Sequence, residues 1–252
     1  ALTGNQKDRR KAEDDIKVQE QKISKLRDQM LQAKTNEQYR AFQNEIDSVR
    51  ERHLLVARNL TSTVSRYVLD VKAVFALAFI VYLATMASTV SFWDCGELLA
   101  ASNILGNPHP PGNPLFTLIA RVFIMVMPLH EIAMRVNFIS VLTSALTVMM
   151  SFLFTIKALR IIFKGEITNF MLYCGGLIAA FLVGFADTFW FSAVEAEVYG
   201  SSMFLVMTIS WLTLYWYENR GTPKADRALI LIGYLGFLGM GIHPFSFITM
   251  PV

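Results

Sequence analysis

The spacing of hydrophobic residues changes sharply near residue 72. Residues 1–60 are polar and free of proline, and their apolar side chains follow heptads in two different frames. The first frame holds Ile16, Ile23, Leu26, Met30 and Ala33, and the second holds Tyr39, Phe42, Ile46, Val49, Val56 and Leu60. One uninterrupted helix would keep a single frame, whereas this frame changes at residues 34–37. Residues 1–62 are therefore predicted to form an antiparallel coiled-coil hairpin.

From Ala73 onward the heptads give way to long apolar runs. Ala73–Trp93 holds 21 residues without a charge, enough to cross a hydrocarbon core of about 30 Å as a helix. Four further spans are predicted at Val136–Ile156, Phe170–Ala186, Val198–Tyr217 and Ala228–Val252. A shorter run, Pro114–Leu129, contains Arg121 and predicts an interfacial or re-entrant helix. The expected fold is all-α: a polytopic transmembrane bundle of about five spans after the coiled-coil hairpin.

The positive charges alternate between the predicted loops. One set of loops carries Arg66, Lys72, Lys157, Arg160, Lys164, Arg220, Lys224 and Arg227. Because cytoplasmic loops are enriched in lysine and arginine, these loops and the coiled coil are predicted to be cytoplasmic. The other side carries only Arg121 and Arg135, so residues 92–135 are predicted to face outward.

The composition indicates that residues 1–72 and the rest of the chain lie in different solvents. The chain is 54% hydrophobic and 17% charged, against about 25% charged in soluble domains. Residues 1–72 hold 15 basic and 11 acidic residues, and the remaining 180 residues hold 8 and 9. The net charge of +3 is too small and too mixed in sign to indicate a nucleic-acid partner. Two cysteines, Cys95 and Cys174, cannot form a disulfide framework or a zinc motif.

Several ionisable residues gather on the predicted outer side, where they adjoin apolar segments. They are Asp94, Glu97, His109, Arg135, Asp187, Glu195, Glu197 and His243. A carboxylate in such surroundings is costly unless it is paired or lines a wet cavity, so the set predicts a functional site. Asp94 and Glu97 have i, i+3 spacing, and a raised pKa beside Trp93 would suit a general base. The alternative is that Asp94 caps a helix with Glu97 as its capping-box partner.

Two further segments add to this predicted site. Residues 107–114 contain four prolines, which make a stiff loop that either directs His109 towards the site or only connects two helices. Residues 186–199 combine four aromatic and three acidic residues, and the three consecutive aromatics at 189–191 alone would fit an interfacial belt. Glu195 and Tyr199 could share a helix face, whereas Glu197 needs a separate partner such as Arg135, His243 or a ligand.

Four stretches together resemble one known family. They read SFWDCGELLAASNILGNPHPPGNPLFTLIARVF, MRVNFISVLTSALT, ADTFWFSAVEAEVYGSSMF and ADRALILIGYLGFLGMGIH. In this order they are similar to the amino-terminal half of a bacterial polytopic membrane family formerly of unknown function. That family is related to eukaryotic protein O-mannosyltransferases in the C-class of glycosyltransferases. The resemblance covers residues 68–252, while residues around KISKLRDQMLQAKTNEQYRAFQNEI resemble the coiled-coil hairpin of zinc-ribbon proteins, without the ribbon.

The resemblance implies a membrane glycosyltransferase that moves mannose or a similar sugar from polyprenyl phosphate to protein serine or threonine hydroxyls. Asp94 would be the base and Glu97 would assist it. The implied donor- and acceptor-binding residues are His109, Arg121, Arg135, Asp187, Trp190, Glu195, Glu197, Tyr199 and His243. Of these, Arg121 or Arg135 would neutralise the lipid phosphate, and Trp190 would stack on the sugar. No cofactor is required, although the paired acids are compatible with a divalent metal.

The resemblance also implies a location and partners. We expect a multi-pass protein of the bacterial inner membrane with a cytoplasmic amino terminus and an extracytoplasmic site. Its partners would be membrane lipid, a lipid-linked sugar and a protein acceptor, with self-association through the coiled coil. The family normally has more spans, so residues 63–252 are expected to be a carboxy-terminally truncated glycosyltransferase-like domain. The alternatives are a transporter or flippase that uses the same acids, and an inactive membrane scaffold.

Overall fold

A computed structural model describes residues 18, 21–32, 35–164 and 166–248, without the side chains of residues 36 and 52–69. All regular structure among these residues is α-helical, in agreement with the predicted fold class. The chain divides into two compact units, Ala1–Asp70 and Val71–Val252. The long helix α2 (Asn36–Thr85) begins in the first unit and ends in the second.

The first unit contains a small apolar cluster between two helical segments. Residues 21–31 form helix α1, and α2 follows after a short break that falls where the heptad frame changes. The buried side chains of the cluster are Leu26, Ile46 and Val49, with Ile23, Met30 and Phe42 packed against them. Lys22 Nζ lies 3.0 Å from Glu45 Oε1 beside this cluster. Tyr39, a predicted seam residue, is 47% exposed. Ile16, Ala33 and the side chains of Val56 and Leu60 lie outside the described residues, and the coiled coil stays a prediction.

The second unit is built around one long helix. After α2 its helices are α3 (Cys95–Ile104), α4 (Pro114–Val126), α5 (Ile132–Ile162), α6 (Asn169–Gly184), α7 (Asp187–Ala193), α8 (Tyr199–Glu218), α9 (Pro223–Met240) and α10 (Phe245–Ile248). Helix α5 packs along both α6 and α8, and α8 also packs against α9. Buried residues occur around much of α5, including Val136, Val141 and Val148, as expected for a helix enclosed by its neighbours.

Small residues let the neighbours of α5 approach closely. A Cβ atom on Gly176 of α6 would lie 2.9 Å from the Phe152 ring of α5. A Cβ atom on Gly200 of α8 would lie 2.3 Å from Ser144 Oγ. Both distances are shorter than real carbon contacts, so these two glycines fix the spacing of α6 and α8 against α5.

Only part of the predicted membrane topology has a counterpart in this fold. Within the described part of the chain, α5 is the helix that is long and apolar enough to cross a bilayer by itself. Helices α6 and α7 meet the same criterion together, but they are bent by 67° at the break between them. The bundle of five spans therefore stays a prediction.

Several predicted boundaries differ from those in the structure. The first predicted span extends to Trp93, but α2 ends at Thr85. The chain leaves the helix there because Ala87 bonds elsewhere: its N–H donates to the Val194 carbonyl at 2.9 Å, and its carbonyl accepts from Asn137 Nδ2 at 2.8 Å. The segment between the third and fourth predicted spans begins with the short helix α7, and the predicted fifth span, Ala228–Val252, is interrupted where α9 ends at Met240.

The far end of α5 carries a buried ion pair. Lys157 Nζ donates a hydrogen bond to Glu218 Oε2 of α8, and each side chain is only 3% exposed. The same ammonium lies 5.2 Å from the ring centroid of Trp211 and 5.4 Å from that of Tyr215. Both ring contacts are within cation–π distance. The ends of α5 and α8 are therefore joined by a charge pair that neighbouring aromatic rings shield from solvent.

Candidate active site

The site begins with two carboxylates at the start of α3 and one histidine. Asp94 occupies the N-cap position of α3, but its side chain makes no capping hydrogen bond. Its Oδ2 atom lies 3.9 Å from His109 Nε2. Glu97 accepts a hydrogen bond from the backbone N–H of His109 at 2.6 Å and has its Oε2 atom 2.8 Å from Nδ1 of the same residue. The carboxylates thus contact His109 and do not form the capping box considered above.

The proline-rich loop is anchored at both ends. Glu97 holds His109 at one end, and Asn113 Nδ2 donates a 2.6 Å hydrogen bond to the Ile242 carbonyl at the other. Between them, the Gly112 N–H donates to the His109 carbonyl at 2.9 Å, and Gly112 has a φ of +79°, a value that favours glycine. The loop therefore holds the imidazole beside the two carboxylates instead of acting only as a connector.

The contact between Glu97 and His109 favours the charged form of both groups. The hydrogen bonds from His109 lower the pKa of the Glu97 carboxyl. The hydrogen bond to Glu97 and the negative charge of its carboxylate raise the pKa of the His109 imidazole. A carboxylate–imidazolium pair next to Asp94 is therefore the expected state on the acidic side of neutrality.

A second acidic group lies in the connector between α7 and α8. The Glu197 N–H donates to Ser140 Oγ at 3.2 Å, and this hydroxyl donates to the Glu197 carbonyl at 3.1 Å. Glu197 is only 7% exposed. Burial, followed by the negative charges of Asp94 and Glu195, raises its pKa to about 7. This carboxyl is therefore partly protonated at neutral pH.

Glu195 and Cys95 lie beside Glu197 within the protein interior. Cys95 Sγ is 4.0 Å from Glu197 Oε1, and Glu195 is 4% exposed. Burial raises the pKa of both the Glu195 carboxyl and the Cys95 thiol. Among the described groups, His109 is the cation whose charge lowers the Glu197 pKa, and this effect is smaller than those of burial and the neighbouring acids.

Five of the residues predicted from sequence share one pocket. Its lining is formed by Asp94, Leu98, His109, Pro111, Asn113, Glu197, Val198, Tyr199 and His243. The pocket is open to solvent and has a volume of about 40 Å³, enough for a few water molecules. Residues from α3, the proline-rich loop, the connector before α8 and the segment after α9 therefore meet at one place.

Six other predicted residues do not line this pocket: Glu97 and Glu195 lie beside lining residues, and the remaining four make other contacts or are exposed. Arg121 Nη1 donates to the Asn103 carbonyl at 2.5 Å. Arg135 donates to the Leu129 carbonyl at 2.8 Å and to the Ile124 carbonyl at 2.5 Å. Arg135 is therefore not the partner of Glu197 that the sequence suggested. Trp190 packs edge-on against a neighbouring ring, Tyr82, at 5.8 Å, and Asp187 is exposed at the start of α7.

Sequence reasoning did not identify four residues that shape this site. Asn113 and Ser140 each bond a backbone group next to the pocket, Cys95 contacts Glu197, and the Phe245 ring packs at a tilt against His243. Ser140 could have been found, because a buried hydroxyl in a long apolar helix needs a partner. Nothing in the local sequence around Phe245 indicates its contact.

Two groups of side chains have geometry that a metal ion could use. The donor atoms of Asp94, Glu97 and His109 lie within 4.8 Å of one another, as do those of Cys95, Glu195 and Glu197. The first group combines oxygen and imidazole nitrogen ligands, which suit several divalent cations. A cation there would compete for Nδ1 of His109 with the hydrogen bond to Glu97. The divalent metal stays a prediction, which loss or retention of activity after chelation would test.

The described part of the chain is all-α, and it places a pocket of carboxyl and imidazole groups near one end of its long apolar helix. Comparison with known families shows which proteins share this region. The sequence model for the N-terminal domain of protein O-mannosyl-transferase TMEM260 matches residues 94–252. The chain belongs to this family. The match begins at Asp94 and includes every residue of the pocket, so the family assignment covers the candidate site.

Two curated relatives support the assignment. The chain is 33% identical to mouse protein O-mannosyl-transferase TMEM260 over 161 residues, which are 64% of the chain and 21% of the relative. It is 27% identical to the protein of the same name from Dictyostelium discoideum over 189 residues, which are 70% of the chain and 22% of the relative. The chain thus spans about a fifth of the length of these relatives. No solved structure matches it.

These comparisons confirm the predicted relation to protein O-mannosyltransferases and leave finer points open. Both relatives come from eukaryotes, so the bacterial origin stays a prediction. The family match begins after the predicted coiled-coil segment, and the resemblance of that segment to zinc-ribbon proteins stays a prediction as well.

Proposed function

We propose that this chain is the catalytic part of a membrane glycosyltransferase that moves mannose from a polyprenyl-phosphate carrier to a serine or threonine hydroxyl of a protein. The observation that carries this proposal is the position of Asp94 in a pocket with His109 and Glu197, inside the region matched by the O-mannosyltransferase family. The acceptor, the lipid-linked donor and the membrane side are parts of the proposal.

Asp94 is the general base of the proposed reaction. Its carboxylate is half exposed and makes no capping bond, so a substrate hydroxyl can reach it. Asp94 removes the hydroxyl proton while the acceptor oxygen forms a bond to the anomeric carbon of the sugar. The bond from that carbon to the phosphate oxygen breaks, and the lipid phosphate leaves with the electron pair. Glu197 is compatible with this role because burial raises its pKa to about 7, so this neighbouring carboxyl is partly protonated at neutral pH.

His109 neutralises the leaving phosphate in this scheme. Glu97 holds the imidazole and raises its pKa, so a positive charge is available 3.9 Å from the Asp94 carboxylate. The sequence suggested Arg121 or Arg135 for this role. Both guanidinium groups donate to backbone carbonyls, and His109 is the better-placed cation.

The proposed site faces the extracytoplasmic side. Ser140, which contacts Glu197, and Lys157 are separated by 17 residues of α5, or about 25 Å along a helix. Lys157 is followed by Arg160 and Lys164, the positive residues expected on the cytoplasmic side. The opposite end of α5, with the acidic pocket, is therefore assigned to the outside, where a flipped lipid-linked sugar is accessible from the bilayer.

The base is tested by the variant Asp94→Asn in membranes that contain the full-length protein. Transfer of mannose from polyprenyl phosphomannose to an acceptor peptide should fall about 10²–10⁴-fold, the usual contribution of a general base. Glu131→Gln is the matched control, because Glu131 lies on the same predicted side and contacts only His130 in the described structure, at 3.3 Å. Full transfer by Asp94→Asn would contradict the proposed mechanism.

The orientation is tested by labelling single cysteines introduced at His130 and Lys224, two exposed positions. A membrane-impermeant maleimide should label position 130 in intact cells and position 224 only after permeabilisation. The reverse pattern would place the pocket in the cytoplasm and exclude an extracytoplasmic acceptor.

A further inference from the structure

Three aromatic rings meet at one edge of the candidate pocket. The ring centroids of Tyr199 and His243 are 5.4 Å apart, those of His243 and Phe245 are 4.6 Å apart, and those of Tyr199 and Phe245 are 6.5 Å apart. These distances are typical of interacting aromatic pairs. Tyr199 is 41% exposed and Phe245 is 47% exposed. The cluster therefore combines a common packing with large accessible ring surface beside the acidic part of the pocket.

The backbone that carries these rings is fixed to other elements. The Leu115 N–H donates to the Gly241 carbonyl at 2.8 Å, and Asn113 donates to the Ile242 carbonyl at 2.6 Å. A Cβ atom on Gly241 would lie 2.9 Å from Leu115 Cβ, so the segment packs directly on the start of α4. The position of His243 relative to the proline-rich loop is thereby set before any ligand binds, which lowers the entropy cost of binding.

A backbone hydrogen bond also indicates which ring nitrogen of His243 carries the proton. The Phe245 N–H donates to His243 Nδ1 at 3.3 Å, so Nδ1 acts as an acceptor. Burial lowers the pKa of this imidazole, which favours the neutral ring at pH 7. A neutral imidazole that accepts at Nδ1 carries its proton on Nε2. His243 thus offers one N–H donor as well as a ring face.

We propose that Tyr199, His243 and Phe245 form a subsite for the hexose ring of the donor, with His243 Nε2–H donating to a sugar hydroxyl. The proposal deepens the proposed function and rests on it. The C–H groups on one face of a pyranose are weakly positive and pack on the negative face of an aromatic ring. Neutral donors and acceptors then select among hydroxyl orientations.

The shared lining of the pocket favours the donor sugar over the acceptor as the ring that binds at the aromatic cluster. During transfer the acceptor oxygen lies between the base and the anomeric carbon, within bonding distance of that carbon. Asp94, Tyr199 and His243 line the same pocket. A ring bound at the aromatic cluster, with the acceptor hydroxyl at Asp94, is therefore the sugar that is transferred.

The subsite is tested in membranes that contain the full-length protein, with polyprenyl phosphomannose as donor and a serine-containing peptide as acceptor. Phe245→Leu and Tyr199→Leu keep apolar bulk but remove a ring, and each should raise the KM for the donor about tenfold, the equivalent of one stacked ring. The KM for the peptide should stay within twofold of the wild-type value. Tyr199→Phe keeps the ring and should leave the donor KM within twofold.

Phe247→Leu is the matched control. Phe247 lies on the same short helix, is 41% exposed and packs on Phe237 at 5.5 Å, outside the pocket lining. Its donor KM should equal that of the wild type. An unchanged donor KM in both Tyr199→Leu and Phe245→Leu, or an equal rise in Phe247→Leu, would overturn the subsite while the transfer reaction stands.

Direct binding separates failure of the subsite from failure of the proposed function. Saturation-transfer NMR with methyl α-mannoside should give a signal from the sugar ring protons that Phe245→Leu reduces and Phe247→Leu does not. If the wild-type protein transfers no sugar but binds the glycoside in this way, the subsite stands and the proposed function fails. Absence of glycoside binding by a wild-type protein that transfers mannose would overturn the subsite alone.

Discussion

Replacement of Ser140 by alanine removes the hydroxyl that holds the Glu197 backbone against α5. Ser140 is fully buried, and its Oγ accepts from the Glu197 N–H and donates to the Glu197 carbonyl. Alanine at this position fits the helix but provides no partner for either backbone group. Because Glu197 lies within a run of buried residues, 195–198, water does not easily replace the lost hydrogen bonds.

The expected cost follows from these two groups. Each buried polar group without a partner costs about 1–3 kcal/mol, so the loss of both partners in Ser140→Ala should destabilise the protein by about 2–6 kcal/mol. For a domain of this size, 1 kcal/mol corresponds to about 2–4 °C, so the melting temperature should fall by roughly 4–24 °C. The measurement is thermal unfolding of the purified protein in detergent, followed by loss of helical circular dichroism at one heating rate.

Ser144→Ala is the control for this experiment. Ser144 lies one turn further along α5 and is equally buried, but its Oγ has no hydrogen-bond partner within the described part of the chain. Loss of an unsatisfied buried hydroxyl should leave the melting temperature unchanged or raise it slightly. If Ser140→Ala and Ser144→Ala shift the melting temperature equally, the bond between Ser140 and Glu197 does not fix the connector.

Three further predictions concern other parts of the second unit. Glu97→Gln should lower the His109 pKa towards that of a free imidazole, as measured by NMR titration. An unchanged His109 pKa in the variant would refute the contact. Because the Glu97 pKa is lowered and the His109 pKa is raised, the pair should stabilise the fold most at pH values between these two pKa values. This stabilisation should be lost as the pH falls through the Glu97 pKa or rises through the His109 pKa. Lys157→Met should cost about 3–5 kcal/mol and Lys157→Met/Glu218→Leu much less, because a broken buried pair costs more than an absent one; equal melting temperatures of the two variants would exclude this explanation. Gly176→Ala should cost about 1–3 kcal/mol in the same melting assay, since its methyl group would lie 2.9 Å from a ring of α5, and a neutral result would mean that α6 can move away.

Much of the helical architecture follows from the spacing of apolar residues. The predicted spans at Val136–Ile156 and Phe170–Ala186 lie within or close to α5 and α6, because long uncharged runs bury well against other helices. The end of the first span at Trp93 was missed. Hydropathy does not show that the backbone groups of Ala87 form hydrogen bonds with residues of other elements instead of continuing the helix.

The candidate site was predictable as a list of chemical groups but not as an arrangement. Asp94, His109 and Glu197 could be selected because charged groups next to apolar segments need compensation. The partners could not be selected in the same way, because they depend on contacts between residues far apart in sequence. Arg135 has the right charge and the predicted side, yet it bonds to backbone carbonyls of its own neighbourhood.

The double contact between Glu97 and His109 also constrains how the sequence can vary. The Glu97 carboxylate bonds both the backbone N–H and the ring of His109. The path of the loop and the orientation of the imidazole therefore depend on this one side chain. Replacement of either residue alone would leave the other without its hydrogen-bond partner. Substitutions at these two positions should therefore be inherited together, as a covarying pair, wherever the loop keeps its length.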